Sequence, residues 1–287
     1  MHFVLAHAVG FTGYHVYAYI GYLADDTRVM TRNFYGAFRV KEIGADGEQD
    51  AVRRLMHGVI MHGEQYRDPE RRDEPTTYYG ATSGIARALK ALDRPRMRVG
   101  VVGLGTGTLA AYGRPGDVYR FYEINPQVVD IANREFTFLK DSGARIEHVL
   151  GDARLSMERE PPQKYDLLAI DAFSSDAIPV HLITREALAV YLRHLKPDGV
   201  IAFHVTNRFL HLAPVVKRIA TEDGLHVALI ADDAEDSDLA RTDWVLVTRD
   251  PALLEREEIA NYASEIEDIP GLRVWTDDFN NLFRILK

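Results

Sequence analysis

From residue 96 onward the chain alternates short apolar runs with longer amphipathic ones, always in the same order. Strands are predicted at 98–103, 117–122, 144–150, 165–171 and 199–205, with helical patterns from about 107 and at 126–139, 153–159, 184–195 and 211–222 between and after them. Strands this uniformly apolar, joined by helices, form a parallel sheet covered on both faces, and right-handed crossovers leave few topologies. Strands at 226–231 and 243–248, a helix at 253–266 and an apolar run from Leu272 to Trp275 complete this part. Lys196-Pro-Asp-Gly199 reads as a turn into the fifth strand, with Gly199 as the C-terminal residue of the preceding helix.

Ahead of it the pattern differs. Phe34 to Ile43, a turn at Ala45-Asp-Gly47, and the runs Val52 to Met56 and Val59 to Met61 read as a small antiparallel unit. The charged, proline-bounded stretch 67–77 is a loop, and a helix follows at 83–92. Residues 1–24 carry no Asp, Glu, Lys or Arg and are long enough to span a bilayer. Yet Gly10, Gly13 and Gly21, with histidines, several tyrosines and no basic leading segment, favour a helix packed on the globular domain or on a sister subunit over one that contacts a membrane. The expected division is 1–32 as an apolar N-terminal segment, 33–95 as the β unit with its connecting helix, and 96–287 as the main domain.

The formal net charge of −9 argues against nucleic acid as a partner, because no basic excess is available to displace phosphate counterions. With no cysteine, thiol nucleophiles, zinc–thiolate clusters and disulfides are excluded. The acidic balance suits a cationic small substrate, and the expectation is a cytoplasmic homo-oligomer, a dimer.

The chemistry concentrates where strands end. Val99-Gly-Val-Val-Gly103-Leu-Gly105-Thr-Gly107 is a strand entering a glycine-spaced turn, and Glu123 follows Gly103 by about twenty residues. Thr108 stands where a dinucleotide site would want a third-spaced glycine, so the pattern is the GxGxG form that suits an adenosyl group without pyrophosphate. An S-adenosylmethionine-like co-substrate is therefore expected, with no tightly bound cofactor and no metal. Three further acids, Asp152, Asp171 and Asp176, close or follow apolar runs. One shared ligand edge explains that repetition better than separate helix caps. Glu123 is read as the ribose ligand, Asp152 followed by Ala153 as the adenine side, and Asp171 with Asp176 as the groups facing the reacting centre. The fold class is α/β, a Rossmann-like doubly wound sheet of the methyltransferase type preceded by a small antiparallel β unit.

Taken with these residues, Asp171-Ala-Phe-Ser-Ser-Asp176-Ala-Ile-Pro179 resembles the spermidine synthase family of aminopropyltransferases, over about Asn33 to the end. It looks closest to the bacterial branch in which such a domain follows a membrane-transporter-like region, through Arg32-Asn-Phe-Tyr-Gly36, His57 to Gln65, Tyr78-Tyr-Gly80 and Trp275-Thr-Asp-Asp278. The resemblance implies decarboxylated S-adenosylmethionine on the glycine turn, an acid at Asp171 or Asp176 that positions or deprotonates the attacking amine, and Tyr79 and Gln65 as acceptor-site residues. It departs from the family at Thr106, where an acid usually contacts the aminopropyl amine, and after Asp176 and Tyr79, where the usual neighbours are replaced. Ordinary S-adenosylmethionine with methyl transfer, or a non-catalytic adenosyl-binding domain, are the alternatives these departures keep open.

Other candidates have plainer readings. His57 and His62, five apart on one strand, would face opposite ways. His181 and His204 read as hydrogen-bonding residues, Ser174 and Ser175 as loop residues, 232–238 as a solvated acidic loop, and Trp275, Phe279 and Phe283 as core or subunit contacts.

Overall fold

The structure is a computed structural model that describes residues 2–24, 26–172, 179–233 and 239–287. Helix α1 (His2–Ala24) leads into strands β1 (Thr27–Asn33), β2 (Gly36–Ile43), β3 (Val52–His57) and β4 (Ile60–Tyr66), which pair in chain order as an antiparallel sheet. The strand-like run expected from Asn33 thus begins at Thr27. Helix α2 (Gly84–Leu92), capped by the Ser83 side chain, then delivers the chain to the main sheet.

That sheet is built from β5 (Arg98–Val102), β6 (Val118–Glu123), β7 (Arg145–Leu150), β8 (Tyr165–Ile170), β9 (Leu195–His204), β10 (His226–Asp232), β11 (Thr242–Thr248) and the short β12 (Ala263–Ser264). Helices α3 (Pro126–Glu135), α4 (Phe138–Asp141), α5 (Ala153–Arg159), α6 (Arg185–His194), α7 (Ala213–Glu222), α8 (Pro251–Leu254) and α9 (Glu257–Ala260) lie between or after the strands. The strand order is β12-β10-β11-β9-β8-β5-β6-β7. Starting from β5 the chain winds outward through β6 and β7, then returns to the other side for β8 and β9. The winding reverses between β5 and β8, and in such sheets the crevice at the strand C-termini there is where ligands bind.

Alternation along these strands fills two cores. Val99, Val101, Leu167 and Ala169 meet Ile85 and Leu89 of α2 on one face. Val102, Leu168 and Ile170 meet Met157, Leu188, Tyr191 and Val215 on the other.

Four expectations are corrected. The sheet is not wholly parallel: β11 enters antiparallel to β9, and β10 antiparallel to β11. The helix after Gly107 is a single 3-10 turn, Thr108–Tyr112, because Gly113, Pro115 and Gly116 follow within one turn. The segment 253–266 is broken into α8, α9 and β12, with Arg256 extended between the helices and Ala263 paired to Ile230. Gly199 does not end α6, which closes at Leu195; residues 196–199 form a bulge in β9, since Tyr165 pairs with Leu195 while Leu167 pairs with Val200.

Residues 10–21 of helix α1 do not pack on the domain they precede. The side chains of residues 10–21 are exposed, and no heavy atom lies within 4 Å of where a Cβ on Gly10, Gly13 or Gly21 would sit. No helix among the described residues is long and apolar enough to cross a membrane. Phe279 and Phe283 do not share a helix with Trp275; Trp275 is buried, whereas Phe283 is 87% exposed.

At the end of the sheet opposite the crevice, Asp166 is fully buried and accepts hydrogen bonds from the Lys196 ammonium at 2.8 Å and the Arg98 amide at 2.8 Å, with Arg94 at 3.2 Å. Removing such a carboxylate strands its donors, although Arg94 and Lys196 can partly rehydrate. Asp166→Ala is therefore expected to lower unfolding free energy by about 2–3 kcal/mol, read as a drop in urea midpoint at unchanged slope.

Candidate active site

A cavity of about 890 Å³ opens at the C-terminal ends of β5, β6 and β8 and is roofed by the β3–β4 hairpin. Its floor is the glycine turn. Gly103, Gly105 and Gly107 all have positive φ, at 95°, 56° and 84°. Backbone packing, as well as the turn itself, demands glycine. A methyl on Gly103 would overlap the Asp171 carbonyl, and one on Gly105 would lie 2.8 Å from the His62 carbonyl oxygen. The turn is thus pressed between the end of β8 and the hairpin, while Gly103, Leu104 and Gly105 still line the cavity. Gly107 does not line it; it starts the 3-10 turn and packs on Leu139.

Glu123 ends β6 and lines the cavity. Its carboxylate accepts from the Leu104 amide at 3.1 Å and the Asn125 amide at 2.8 Å, tying it to the glycine turn. Burial pushes its carboxyl above the usual glutamate range, against the opposing pull of those amides. Asp152 caps α5 by accepting from the Leu155 amide at 2.9 Å, and its other oxygen meets His181 Nε2 at 2.8 Å. Asp152 and Ala153 both border the cavity.

Asp171 follows β8 and is held from two sides. The Tyr79 hydroxyl donates to one carboxylate oxygen, and His204 Nδ1 lies 2.6 Å from the other. Burial, reinforced by the Asp171 charge, pushes both the Tyr78 and Tyr79 phenols well above their usual range, so Tyr79 stays a protonated donor. Glu123, Asp152, Asp171 and Tyr79 all border one cavity.

Two sequence-based candidates among the described residues, Gly107 and Gln65, do not border it. Gln65 faces away. Its amide group donates to the Arg72 carbonyl at 2.9 Å and Thr137 Oγ1 at 3.0 Å and accepts from the Thr137 amide at 2.9 Å, locking β4 to the segment after α3. Asp176, with Ser174 and Ser175, lies outside the described residues.

The hairpin supplies residues that strand periodicity misplaced. His57 and His62 are not on one strand: the two-residue turn Gly58-Val59 folds between them, and their rings lie 5.3 Å apart at the cavity wall. Gly58 has φ +60°, and Gly at the first position of a two-residue hairpin loop was the available signal. Phe38 stacks on His57 at 4.3 Å, and burial pulls the His57 imidazole below its usual value. Thr106 is turned away, its hydroxyl 2.8 Å from that of Thr108. Among the described residues no cluster of three His, Asp or Glu forms a metal site.

No family model matches the chain. A polyamine aminopropyltransferase of Vibrio vulnificus is 26% identical over 234 residues, covering 77% of this chain and 76% of that protein. Among solved structures, a probable spermidine synthase from Corynebacterium glutamicum superposes with TM-score 0.62 at 17% identity, over 88% of this chain and 98% of that one. The spermidine synthase of Thermotoga maritima does so with TM-score 0.55 at 14% identity, over 85% and 80%. The sequence match bears out the resemblance read from the motifs, and the structural matches bear out the fold class.

Because Gly103 combines positive φ with direct contact against the Asp171 backbone, Gly103→Ala should cost about 2 kcal/mol or more. Chemical denaturation against the wild type measures it; an unchanged midpoint would mean that the turn is not pinned as described.

Proposed function

We propose that this chain is an aminopropyltransferase-like enzyme that moves an aminopropyl group from decarboxylated S-adenosylmethionine to a polyamine-type amine and releases methylthioadenosine. The observation that carries the reading is the convergence of the glycine turn, Glu123, Asp152 and the Asp171–Tyr79 pair on one cavity at the winding reversal. The adenosine would lie on Gly103 to Gly105, with its ribose hydroxyls toward Glu123 and its adenine toward Asp152 and Ala153. The sulfonium would then sit before Asp171.

An ammonium is no nucleophile, so the acceptor must lose one proton before it reacts. The Asp171 carboxylate holds the ammonium and takes that proton. The amine lone pair attacks the methylene carbon bound to sulfur, the new C–N bond forms, and the C–S electron pair leaves on sulfur as the neutral thioether. No acid is needed for the leaving group, so placing the two substrates in line dominates the rate enhancement. Asp176 is a second candidate for the amine, and the aromatic and imidazole wall of Tyr78, His57 and His62 would enclose its carbon chain.

Incubation with decarboxylated S-adenosylmethionine and a panel of diamines should release methylthioadenosine. Asp171→Asn should reduce that release by 100-fold or more, on the order of a lost general base, with nucleoside binding retained in calorimetry. Adenosylhomocysteine formed from S-adenosylmethionine, with no methylthioadenosine from any amine, would overturn the reading in favour of methyl transfer.

Glu123 adds a pH dependence. Its ionised form is the one that accepts ribose hydroxyls, and burial raises its carboxyl, so protonation sets in at higher pH than for an ordinary glutamate. Methylthioadenosine affinity should therefore weaken on acidification while solvent-exposed carboxylates are still charged. Titration calorimetry at pH 7.5 and 5 measures the loss, and Glu123→Gln should bind weakly with that pH dependence removed.

A further inference from the structure

Tyr79 accounts for one oxygen of Asp171; His204 accounts for the other. Ile170 pairs with Phe203 across the parallel β8–β9 ladder, so the next residues on each strand, Asp171 and His204, emerge side by side at the cavity. The imidazole is fixed in place. Trp244, paired with it across β9–β11, stacks on the ring at 4.7 Å and 19°, and the Tyr78 ring lies 5.1 Å away. The side chain is 7% exposed and that of Asp171 9%.

The partners select a tautomer. A carboxylate offers only acceptors, so the 2.6 Å contact requires the proton on Nδ1. In the neutral ring Nε2 is then an acceptor, and the buried Thr242 hydroxyl, 3.3 Å away, can donate to it. This pairing suits a carboxylate that must meet a cation. A neutral donor orients Asp171 without cancelling its charge, whereas a lysine or arginine there would satisfy the carboxylate and repel an incoming ammonium.

We infer that His204 is a positioning residue: its Nδ1–H fixes the plane of the Asp171 carboxylate, and with Tyr79 on the second oxygen the remaining lone pairs point to where the acceptor amine is held. The role in turnover rests on the proposed function, whereas the tautomer does not.

Two measurements test it. In protein labelled with 15N-histidine, the resonances absent from His204→Asn identify His204, and the expected pattern is a protonated Nδ1 with a bare Nε2. A proton on Nε2 and a bare Nδ1 would overturn the inference whether or not any amine is turned over.

In the kinetic arm, His204→Phe keeps an aromatic ring against Trp244 but removes the donor. It should lower kcat/KM for the amine about 100-fold, the penalty of a misplaced reacting group, while methylthioadenosine Kd stays within about twofold, since its ligands are elsewhere. His204→Asn, whose amide N–H can replace Nδ1–H, should recover at least a third of wild-type kcat/KM. Equal activity in His204→Phe and wild type would overturn the positioning role and leave the proposed function standing. Wild-type protein that alkylates no amine would instead remove the proposed function and with it the role in turnover, while the tautomer alone would decide whether His204 holds Asp171.

Discussion

A carboxylate almost withdrawn from water has to be compensated by donors held in place, and at Asp171 those donors come from distant parts of the chain. Tyr79 belongs to the segment between the small sheet and α2; His204 ends the strand beside Asp171. The small sheet is therefore more than an appendage to the doubly wound domain. Gln65 clamps it to Thr137, and its β4 backbone presses on Gly105, so the hairpin that roofs the cavity and the tyrosine that holds Asp171 are fixed together.

The doubly wound topology makes this possible. Reversal of winding between β5 and β8 leaves a gap between the loops that follow them, and there the glycine turn and Asp171 meet. Gly103 lets the two backbones touch. Had β8 followed β5 without reversal, a crossover helix would have covered this edge. The glycines therefore serve two ends: the sharp turn that ties the Leu104 amide to Glu123, and the close approach of Asp171 to that turn.

Much of this was legible along the chain, and the parts that were not share a cause. Apolar runs marked β5 to β9, and acids at their ends marked the cavity, because both depend on spacing along a single element. His57 and His62 were misplaced because period-2 reasoning assumes an unbroken strand, whereas Gly58 turns the chain between them. Gln65 was assigned to the acceptor site by resemblance, but Glu64 and Gln65 are both buried in β4, and its direction is set by Thr137, far off in sequence. His204 looked like a satisfied core histidine, and it is satisfied; that its partner is Asp171 follows from the β8–β9 register. The helix expected at 253–266 failed for a similar reason, since Ala263 and Ser264 are drawn into pairing with β10.

Glu123, Asp152 and Asp171, three of the acids that border the cavity, are already hydrogen-bonded to the protein, and that does not count against a ligand. An ionised carboxylate has about four acceptor positions. Glu123 uses its oxygens on two amides, Asp152 on an amide and His181, and Asp171 on Tyr79 and His204, so each keeps capacity for a ligand while its orientation is set beforehand. Rotamer entropy that a free side chain would lose on binding has been surrendered during folding, and the acids need not reorganise when a ligand arrives. Thr106 contributes nothing of this kind, being bonded to Thr108 and turned from the cavity. In the proposed reaction, recognition of a cationic donor and a cationic acceptor would therefore fall on acids at the ends of β6, β7 and β8 rather than on the Thr106 side chain of the turn.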